Sequence, residues 1–582
     1  MERKLEEKMA GIMNKPGVVG AICVDNKGLT LSDDSSSSSD DCEMAGSPKK
    51  SPKKAPDEIL SGSVRSASFN IIFQVITRVF TFMLNAFILR YVSHDVLGIC
   101  NVRLALLYSS VMFLSREPFR RAVLRKSESD SWLETINLIW LVIPCTVFWS
   151  VFLGLVWCYL LSQPGAFPDS AEAVQYRLSV WVMCFALVVD SFTEVPYILG
   201  QYFLFYRLRI VGDTLLIAVR SFCLCIAVVK FPSTAIFSYA FGTLVGVICV
   251  SSLYYGYFYY YIHNVARRDL PFGSISALLP RSGLRFPKDL QILAWTFFKQ
   301  GILKQLLTEG ERYMMTFLDV LTFKEQGIYD LVANLGSLAA RFVFLPIEES
   351  SYSYFAQSLQ KQAKSVTRTK ELMVEIGAVL GRLVRMMSLV GMVIIVYGLP
   401  FSNTVLFLYG GSRLSDEGPG TRLLQANCIN IFTLALNGVT EAFTFAAMSK
   451  DQMDKFNKRL VWFSGIYLFA AWILTSYFGS IGFFIANSIN MSLRIIQSCT
   501  LVQLKFSVYK INPFNFWLPK VNTIAVFGMS TIVIWTLSLF DVGRVLFVLV
   551  GLVIFATNCL AALYFDKDLT SFFLNIYKTK SA

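Results

Sequence analysis

The chain has 582 residues, of which 54% are hydrophobic and 16% are charged, and its formal net charge is +13. Soluble proteins carry about 25% charged residues, so this composition excludes an ordinary soluble domain and predicts a polytopic membrane protein. Because the positive charge lies mainly between the apolar runs, it indicates membrane orientation and contact with membrane lipid, and we expect no nucleic acid partner.

The first 60 residues form a hydrophilic segment. They include SDDSSSSSDDCE (32–43) and SPKKSPKK (47–54), with almost no large apolar residue in that stretch. Such a segment cannot bury enough apolar surface to offset the entropy of ordering, so residues 1–60 are predicted to be a disordered cytosolic tail. We interpret it as a solvated, dispensable tail, and the alternative is a tail phosphorylated at its serines. The charged start lacks the apolar core of a signal peptide.

A polar stripe follows the first apolar segment, residues 66–91. Asn70, Gln74, Arg78, Thr81 and Asn85 occur at spacings that place all five on one face of an α-helix. An arginine at the centre of a bilayer-spanning helix costs roughly 2.5–3.5 kcal/mol on insertion scales. We therefore expect this face to line the interior of a helical bundle or a wet cavity.

About fourteen helical spans are predicted after residue 60, judged by the ~20 apolar residues that cross a bilayer. The second, seventh and eighth carry the most charge. Their approximate limits are 66–91, 96–118, 135–162, 174–199, 208–229, 235–262, 294–318, 327–355, 372–399, 421–448, 459–478, 481–504, 518–540 and 543–565.

Polar stripes recur in the seventh and eighth spans. Gln300, Lys304, Thr308 and Glu311 fall on one face of the seventh, and Arg341 ends a similar stripe in the eighth. The placement predicts an all-α polytopic protein with two six-helix lobes around a central cavity plus two C-terminal helices. The predicted divisions are an N-lobe at 61–262, a cytosolic loop at 263–290, a C-lobe at 291–505, two spans at 506–570 and a cytosolic tail at 571–582.

Cations in a membrane cavity favour an anionic ligand, and phosphate or diphosphate suits arginine through bidentate hydrogen bonds. The alternative is that each arginine pairs with a carboxylate and holds the bundle together, as Arg116 with Glu117 or Arg312 with Glu309. The predicted substrate-binding cations are Arg78, Arg90, Arg103, Arg116, Arg120, Lys304, Arg312 and Arg341. The predicted supporting polar residues are Asn70, Gln74, Asn85, Glu117, Glu309, Glu311, Glu348 and Glu349.

The loops on the side of both termini carry most of the loop lysines and arginines. The positive-inside rule therefore predicts that both termini are cytosolic. Lys578 and Lys580, fifth and third from the carboxyl terminus, resemble the dilysine retrieval signal of endoplasmic reticulum membrane proteins, which is an address read by a receptor.

Several chemical motifs are missing from the sequence. It has no phosphate-binding loop for ATP, no H-E-x-x-H and no G-x-S-x-G, so we expect neither an enzyme nor a cofactor. The twelve cysteines lack zinc-ligand spacing with His94 or His263 and are interpreted as apolar packing residues, so no metal is expected. Asp190 and Glu194 share a helix face. This pair leaves a membrane glycosyltransferase open, although embedded carboxylates more often relay protons or ions.

Four segments resemble the eukaryotic Rft family: NAFILRYVS (85–93), NVRLALLYSSVMFLSREPFRRAVLR (101–125), LLTEGERYMMTFL (306–318) and YDLVANLGSLAARFVFLPIEESSYSYF (329–355). The resemblance covers residues 66 to 570. It implies the superfamily of multidrug/ion antiporters and the bacterial peptidoglycan-precursor flippase, with two six-helix lobes around a V-shaped cavity and sometimes two extra helices.

The resemblance also implies a function, namely translocation of dolichol-diphosphate-linked Man5GlcNAc2 from the cytosolic to the lumenal leaflet of the endoplasmic reticulum for protein N-glycosylation. One alternative is a non-transporting accessory protein that binds the lipid-linked oligosaccharide or its glycosyltransferases, which are possible partners. A further alternative is an ion-coupled exporter of small molecules, against which the excess of positive charge argues, since cationic cargo favours carboxylates.

Overall fold

The computed structural model of the protein describes residues 83, 86–126, 131–165, 170–203, 205–264, 270, 273–281, 286–364, 369–415, 419–540 and 543–567. The predicted tail at 1–60, most of the first span and the predicted retrieval signal at Lys578 and Lys580 lie outside these ranges. Arg78, Asn70, Gln74 and Asn85 lie outside them as well.

Six helices make up the first half of the described chain. Ser93 begins the first by accepting a hydrogen bond from the backbone N–H of Val96, and Ser170 caps the third in the same way from Ala173. Helix α1 contains a π-helical stretch at Ile99–Leu104. The helices are α1 His94–Val123, α2 Trp132–Leu160, α3 Ala171–Ser191, α4 Glu194–Tyr202, α5 Tyr206–Lys230 and α6 Ala235–Asn264.

Nine further helices of at least eight residues follow in the described part of the chain. Thr322 and Glu325 form a capping box at the start of α9, and a second π-helical stretch lies within that helix at Ala340–Phe344. The helices are α7 Lys288–Thr308, α8 Gly310–Phe317, α9 Phe323–Gln360, α10 Thr369–Gly410, α11 Gly420–Ala447, α12 Lys450–Phe478, α13 Ile481–Ser507, α14 Val521–Leu539 and α15 Arg544–Phe565.

Eleven helices of the described ranges are long and apolar enough to cross a membrane. Helices α7 and α13 are also long but fall outside that group. No strand occurs in the part of the chain that the structure describes. The predicted all-α polytopic class is therefore confirmed, whereas the predicted number of fourteen spans is not.

Two predicted spans are not continuous helices. The span predicted at 174–199 breaks between α3 and α4, because Pro196 in the first turn of α4 has no N–H to donate to the carbonyl of Phe192. That carbonyl instead accepts a hydrogen bond from the Tyr255 hydroxyl at 2.7 Å. The span predicted at 294–318 breaks at Glu309, between α7 and α8.

Helix α1 belongs to the first half of the described chain and packs against helices of the second half. Its first turns pack against the start of α9, and its later turns pack along α7. A Cβ atom on Gly98 would lie 2.0 Å from the carbonyl oxygen of Phe323, and one on Gly327 would lie 2.2 Å from that of His94. Only glycine allows this backbone-to-backbone crossing, so the contact between the halves depends on two residues without side chains.

The last two helices pack on α10. Phe401 of α10 stacks on Phe547 of α15 with 4.3 Å between ring centroids, and Gly551 leaves room for that ring. Asp566, after α15, pairs with Arg385 of α10 at 3.5 Å and accepts a hydrogen bond from Thr523. Aromatic stacking and one buried ion pair therefore fix this helical pair against the second half.

Candidate functional site

The break between α3 and α4 faces two arginines of α1. Arg116 Nη1 lies 2.6 Å from Asp190 Oδ2, and its Nη2 donates to the carbonyl of Leu187 at 2.7 Å. Arg120 forms a two-pronged pair with Glu194, in which Nη2 lies 2.9 Å from Oε2 and Nε contacts Oε1. Glu194 is 2% exposed. Two cations thus meet two carboxylates, and the cluster carries no net charge.

One pairing considered for Arg116 is wrong. The structure pairs Arg116 with Asp190 across the bundle rather than with its neighbour Glu117. Glu117 instead accepts a hydrogen bond from Arg121 at 2.8 Å, one turn along the same helix. Adjacent residues on a helix point in different directions, which explains why sequence proximity misled the prediction.

Arg103 joins the two halves of the described chain. Its side chain is completely buried, and Nη2 lies 2.9 Å from Asp319 Oδ1 and 3.0 Å from the Ser162 hydroxyl. Ser162 also donates to Asp319 at 2.9 Å. Since Arg103 belongs to α1 and Asp319 follows α8, this pair reinforces the glycine crossing that lies one to two turns away.

A third cluster surrounds Arg312 on α8. Its guanidinium lies 3.1 Å from Glu309 and 3.2 Å from Asp330, so the structure shows the pairing with Glu309 that was considered as the alternative to substrate binding. Asn334 donates to Asp330 at 2.9 Å. The neighbouring Glu311 accepts a hydrogen bond from the Tyr329 hydroxyl at 2.6 Å. It accepts a second from Tyr467 of α12, so these polar residues fasten α8 to α9 and α12.

The other predicted site residues lie nearer the surface. Arg90 is exposed and donates to the carbonyl of Leu408 on α10 at 3.2 Å. Lys304, Arg341 and Glu349 are exposed, whereas Glu348 is half-buried. The structure therefore gathers Arg116 with Arg120, and Arg312 with Glu309, but it does not bring all predicted cations to one point. Their role in substrate binding stays a prediction.

Sequence reasoning missed Arg220, which lies in the middle of α5. It is half-buried, and its guanidinium lies 5.0 Å from the centroid of the Tyr239 ring on α6. The Tyr239 residue is 5% exposed, so the guanidinium of Arg220 faces the bundle interior. Among the residues that the structure describes, no carboxylate forms an ion pair with it. The signal was visible as an arginine deep inside the apolar span 208–229, whose other charged residues, Arg209 and Asp213, lie near its start.

Two cavities adjoin α7 and α12. The larger, about 440 Å³, is lined almost entirely by apolar side chains of α1, α7, α8 and α12, including Leu114, Leu306 and Leu468. The smaller, about 220 Å³, is more polar and is lined by Ser464, Asn490 and Arg494 among others. Within the described ranges, no group of three or more His, Cys, Asp or Glu residues is arranged to hold a metal ion.

The fold and its interior define a class of protein. Many bilayer-length helices enclose buried charges, and two helices are interrupted at carboxylates, which is typical of membrane transporters. The family model described as "Rft protein" matches residues 62–576. The chain belongs to the Rft protein family.

Named relatives are similar over most of their length. The Man(5)GlcNAc(2)-PP-dolichol translocation protein RFT1 of Xenopus tropicalis is 40% identical over 482 residues, which are 82% of this chain and 88% of the relative. The protein of that name from Drosophila melanogaster is 36% identical over 512 residues, which are 82% and 91% of the two chains. A second family model, "Ragulator complex protein LAMTOR5", matches residues 1–47, within the predicted tail.

A solved structure shares the fold. The lipid II flippase MurJ in an inward closed conformation superimposes with a TM-score of 0.53 and 12% sequence identity, covering 86% of this chain and all of that one. At this identity the likeness concerns the fold alone. It confirms the transporter-like helical architecture that the sequence predicted.

Proposed function

We propose that this protein translocates dolichol-diphosphate-linked Man5GlcNAc2 from the cytosolic to the lumenal leaflet of the endoplasmic reticulum membrane, with both termini in the cytosol. The family membership and the names of its relatives support the substrate. The likeness to a flippase fold supports the mode of action. In this proposal the polyisoprenyl chain stays in lipid while the diphosphate and sugars cross through the protein interior.

The observation that carries the proposal is the contrast between Arg220 and the other buried arginines. Arg103, Arg116 and Arg312 each lie within hydrogen-bonding distance of a carboxylate. Arg220 lies over the ring of Tyr239, and no carboxylate among the described residues forms an ion pair with it. A cation that lacks an acidic partner inside a membrane is costly unless an anion visits it. A diphosphate group is such an anion and suits the planar guanidinium.

The contact between the halves would act as the gate. The backbone crossing of Gly98 and Gly327, together with the Arg103–Asp319 pair, closes one end of α1 against α9. Pairs such as Arg116–Asp190 lie within one half and keep it rigid. Passage of a diphosphate sugar requires the crossing to open while the intra-half pairs stay intact, which is alternating access between two lobes.

The test is reconstitution of the purified protein into vesicles that contain the lipid-linked oligosaccharide, followed by measurement of the fraction exposed on the far leaflet. We expect protein-containing vesicles to exceed empty ones. Arg220→Ala should slow translocation by about ten-fold or more, since one charge-assisted hydrogen bond contributes roughly 1.5–3 kcal/mol. Arg220→Lys should retain part of the rate. Lys230→Ala, an exposed cation at the end of the same helix, is the matched control.

An accessory role is the second candidate. The full pairing of Arg116 and Arg120 supports it, because a bundle held by intact ion pairs can bind a lipid without changing its conformation. Such a protein would bind the lipid-linked oligosaccharide and present it to a glycosyltransferase. In the vesicle assay it would bind the lipid and leave the far-leaflet fraction equal to that of empty vesicles.

A further inference from the structure

A fourth cluster of charged residues, buried or half-buried, lies on α9, α11 and α13. Arg494 Nη2 donates to both oxygens of Glu441, at 2.8 and 2.6 Å, and Asn437 donates to Glu441 at 2.9 Å. Glu348 of α9 adds a second carboxylate to this cluster. We propose that Glu348 is an exchangeable proton-binding site, and that release of its proton drives α9 and α11 apart.

The position of Glu348 depends on a glycine. A Cβ atom on Gly438 would lie 1.7 Å from Glu348 Oε1, so the carboxylate is pressed against the α11 backbone where a side chain would otherwise be. Gly438 and Glu441 are three residues apart and share a helix face. The two carboxylates therefore lie on neighbouring helices at about the same level.

The charges around Glu348 do not balance. The groups whose charge acts on it are Glu441 of α11, Arg494 of α13 and Glu349 on its own helix. The guanidinium is already committed to Glu441 through two short hydrogen bonds. Within the described part of the chain, no hydrogen bond or ion pair joins Glu348 to another residue. An uncompensated carboxylate inside a membrane span is expensive, and a bound proton removes that cost.

A partner for the proton is in place. The Asn437 side chain is 3% exposed, and its Oδ1 is buried without a hydrogen-bond donor in the described structure. Its Nδ2 donates to Glu441, so the amide belongs to the same cluster. A protonated Glu348 supplies an O–H donor, and the Oδ1 of Asn437, next to Gly438 in the chain, is a buried acceptor that lacks one.

A polar cavity borders the cluster at Arg494. This residue lines the cavity of about 220 Å³ together with Asn490 and Ser464, and the cavity is large and polar enough for water. The step is a simple acid dissociation, in which the Glu348 O–H bond breaks, water takes the proton and the electron pair stays on the carboxylate. The new negative charge repels Glu441 and favours separation of the two helices.

The site goes beyond the proposed function, because it concerns the ion that drives movement and not the cargo. Its direct test is infrared spectroscopy of the purified full-length protein, titrated between about pH 5 and pH 9. We expect a protonated-carboxyl band that disappears as the pH rises. Glu348→Gln should abolish this change, and Glu349→Gln, an exposed neighbour, should leave it intact. A wild-type protein without the band, or a Glu348→Gln protein that keeps it, overturns the proposal.

Gly438→Ala provides a second variant that retains every titratable group. The added methyl group must displace the Glu348 carboxylate, so the midpoint of the band should move by about one pH unit or more, a ten-fold change in proton affinity. An unchanged midpoint contradicts the assignment.

Replacing choline chloride by sodium chloride tests whether the site binds a sodium ion rather than a proton. A sodium-dependent shift that Glu348→Gln removes assigns the site to a monovalent cation and overturns the proton proposal. None of these outcomes depends on translocation of the lipid.

Discussion

Two charged clusters, one in each half of the described chain, hold their charges differently. Where α3 meets α4, Arg116 and Arg120 meet two carboxylates, and every charge has a partner. Between α9, α11 and α13, Arg494 forms its hydrogen bonds with Glu441, and the neighbouring Glu348 has no such partner among the described residues. A paired carboxylate holds helices together, whereas an unpaired one needs a proton or a ligand. The pairing of each carboxylate therefore distinguishes these two clusters.

The largest effect that this comparison predicts is for Glu194→Gln. The change removes the carboxylate that pairs with Arg120 and lies 3.6 Å from Arg116, and leaves buried guanidinium charge uncompensated. We expect a loss of about 3–5 kcal/mol of stability, because breaking a buried pair costs that much. Thermal unfolding of the detergent-purified protein measures it. An unchanged midpoint would mean that the balanced cluster does not hold the first half together.

A smaller effect is predicted where the halves meet. Gly327→Ala places a methyl group 2.2 Å from the carbonyl oxygen of His94, so α1 and α9 must move apart. Overpacking of this kind costs about 1–3 kcal/mol, and thermal unfolding should show it. The matched control is Gly256→Ala in α6, where a Cβ meets open space. The control should be neutral or slightly stabilising, and equal losses in both variants would contradict the crossing.

The Arg103–Asp319 pair should show a modest coupling energy. Arg103 is buried, but the Asp319 side chain is 57% exposed, so water screens the interaction. A double-mutant cycle with Arg103→Met and Asp319→Asn should give about 0.5–1 kcal/mol. The cycle is measured by unfolding of all four proteins. A coupling several times larger would show that this pair is as strong as the fully buried pairs. Exposure of one partner would then not explain the difference between the two kinds of pair.

The smallest effect is expected for Glu117→Gln. Its partner Arg121 lies one turn away, and both side chains are about 30% exposed. Pairs of this type contribute roughly 0.3–0.5 kcal/mol. The unfolding midpoint should therefore change little. A loss close to that of Glu194→Gln would show that burial and partner number do not rank these pairs.

Much of the fold was predictable from apolar length. Long runs such as 235–262 and 421–448 appear as continuous helices within a few residues of their predicted limits. The breaks were not predicted, because both interrupted segments stay apolar overall while Pro196 and Gly310 interrupt the backbone locally. Mean hydropathy averages over such positions. Asking which backbone N–H and C=O groups of each turn can form a hydrogen bond would have identified them.

The site was predictable only in part. The polar residues of α1 and α8 were found because charge is rare in apolar helices, but their partners come from distant helices. Arg116 pairs with a residue 74 positions away, which no periodicity reveals. Arg220 was overlooked because its span lacks the polar stripe that drew attention elsewhere, and because the other charges of the span, Arg209 and Asp213, lie near its start. A charge in the middle of a membrane helix is a strong signal even without a stripe, since it is costly to place in lipid.

The central claim is that Arg220 is a cation kept for the diphosphate of the substrate. The most direct measurement is the affinity of the purified protein for Man(5)GlcNAc(2)-PP-dolichol, compared between wild type and Arg220→Ala together with the unfolding midpoint of each. The account predicts affinity at least about ten-fold weaker in the variant, at an unchanged midpoint. Equal affinity, or a midpoint lowered as far as in Glu194→Gln, would contradict it and make Arg220 a structural residue.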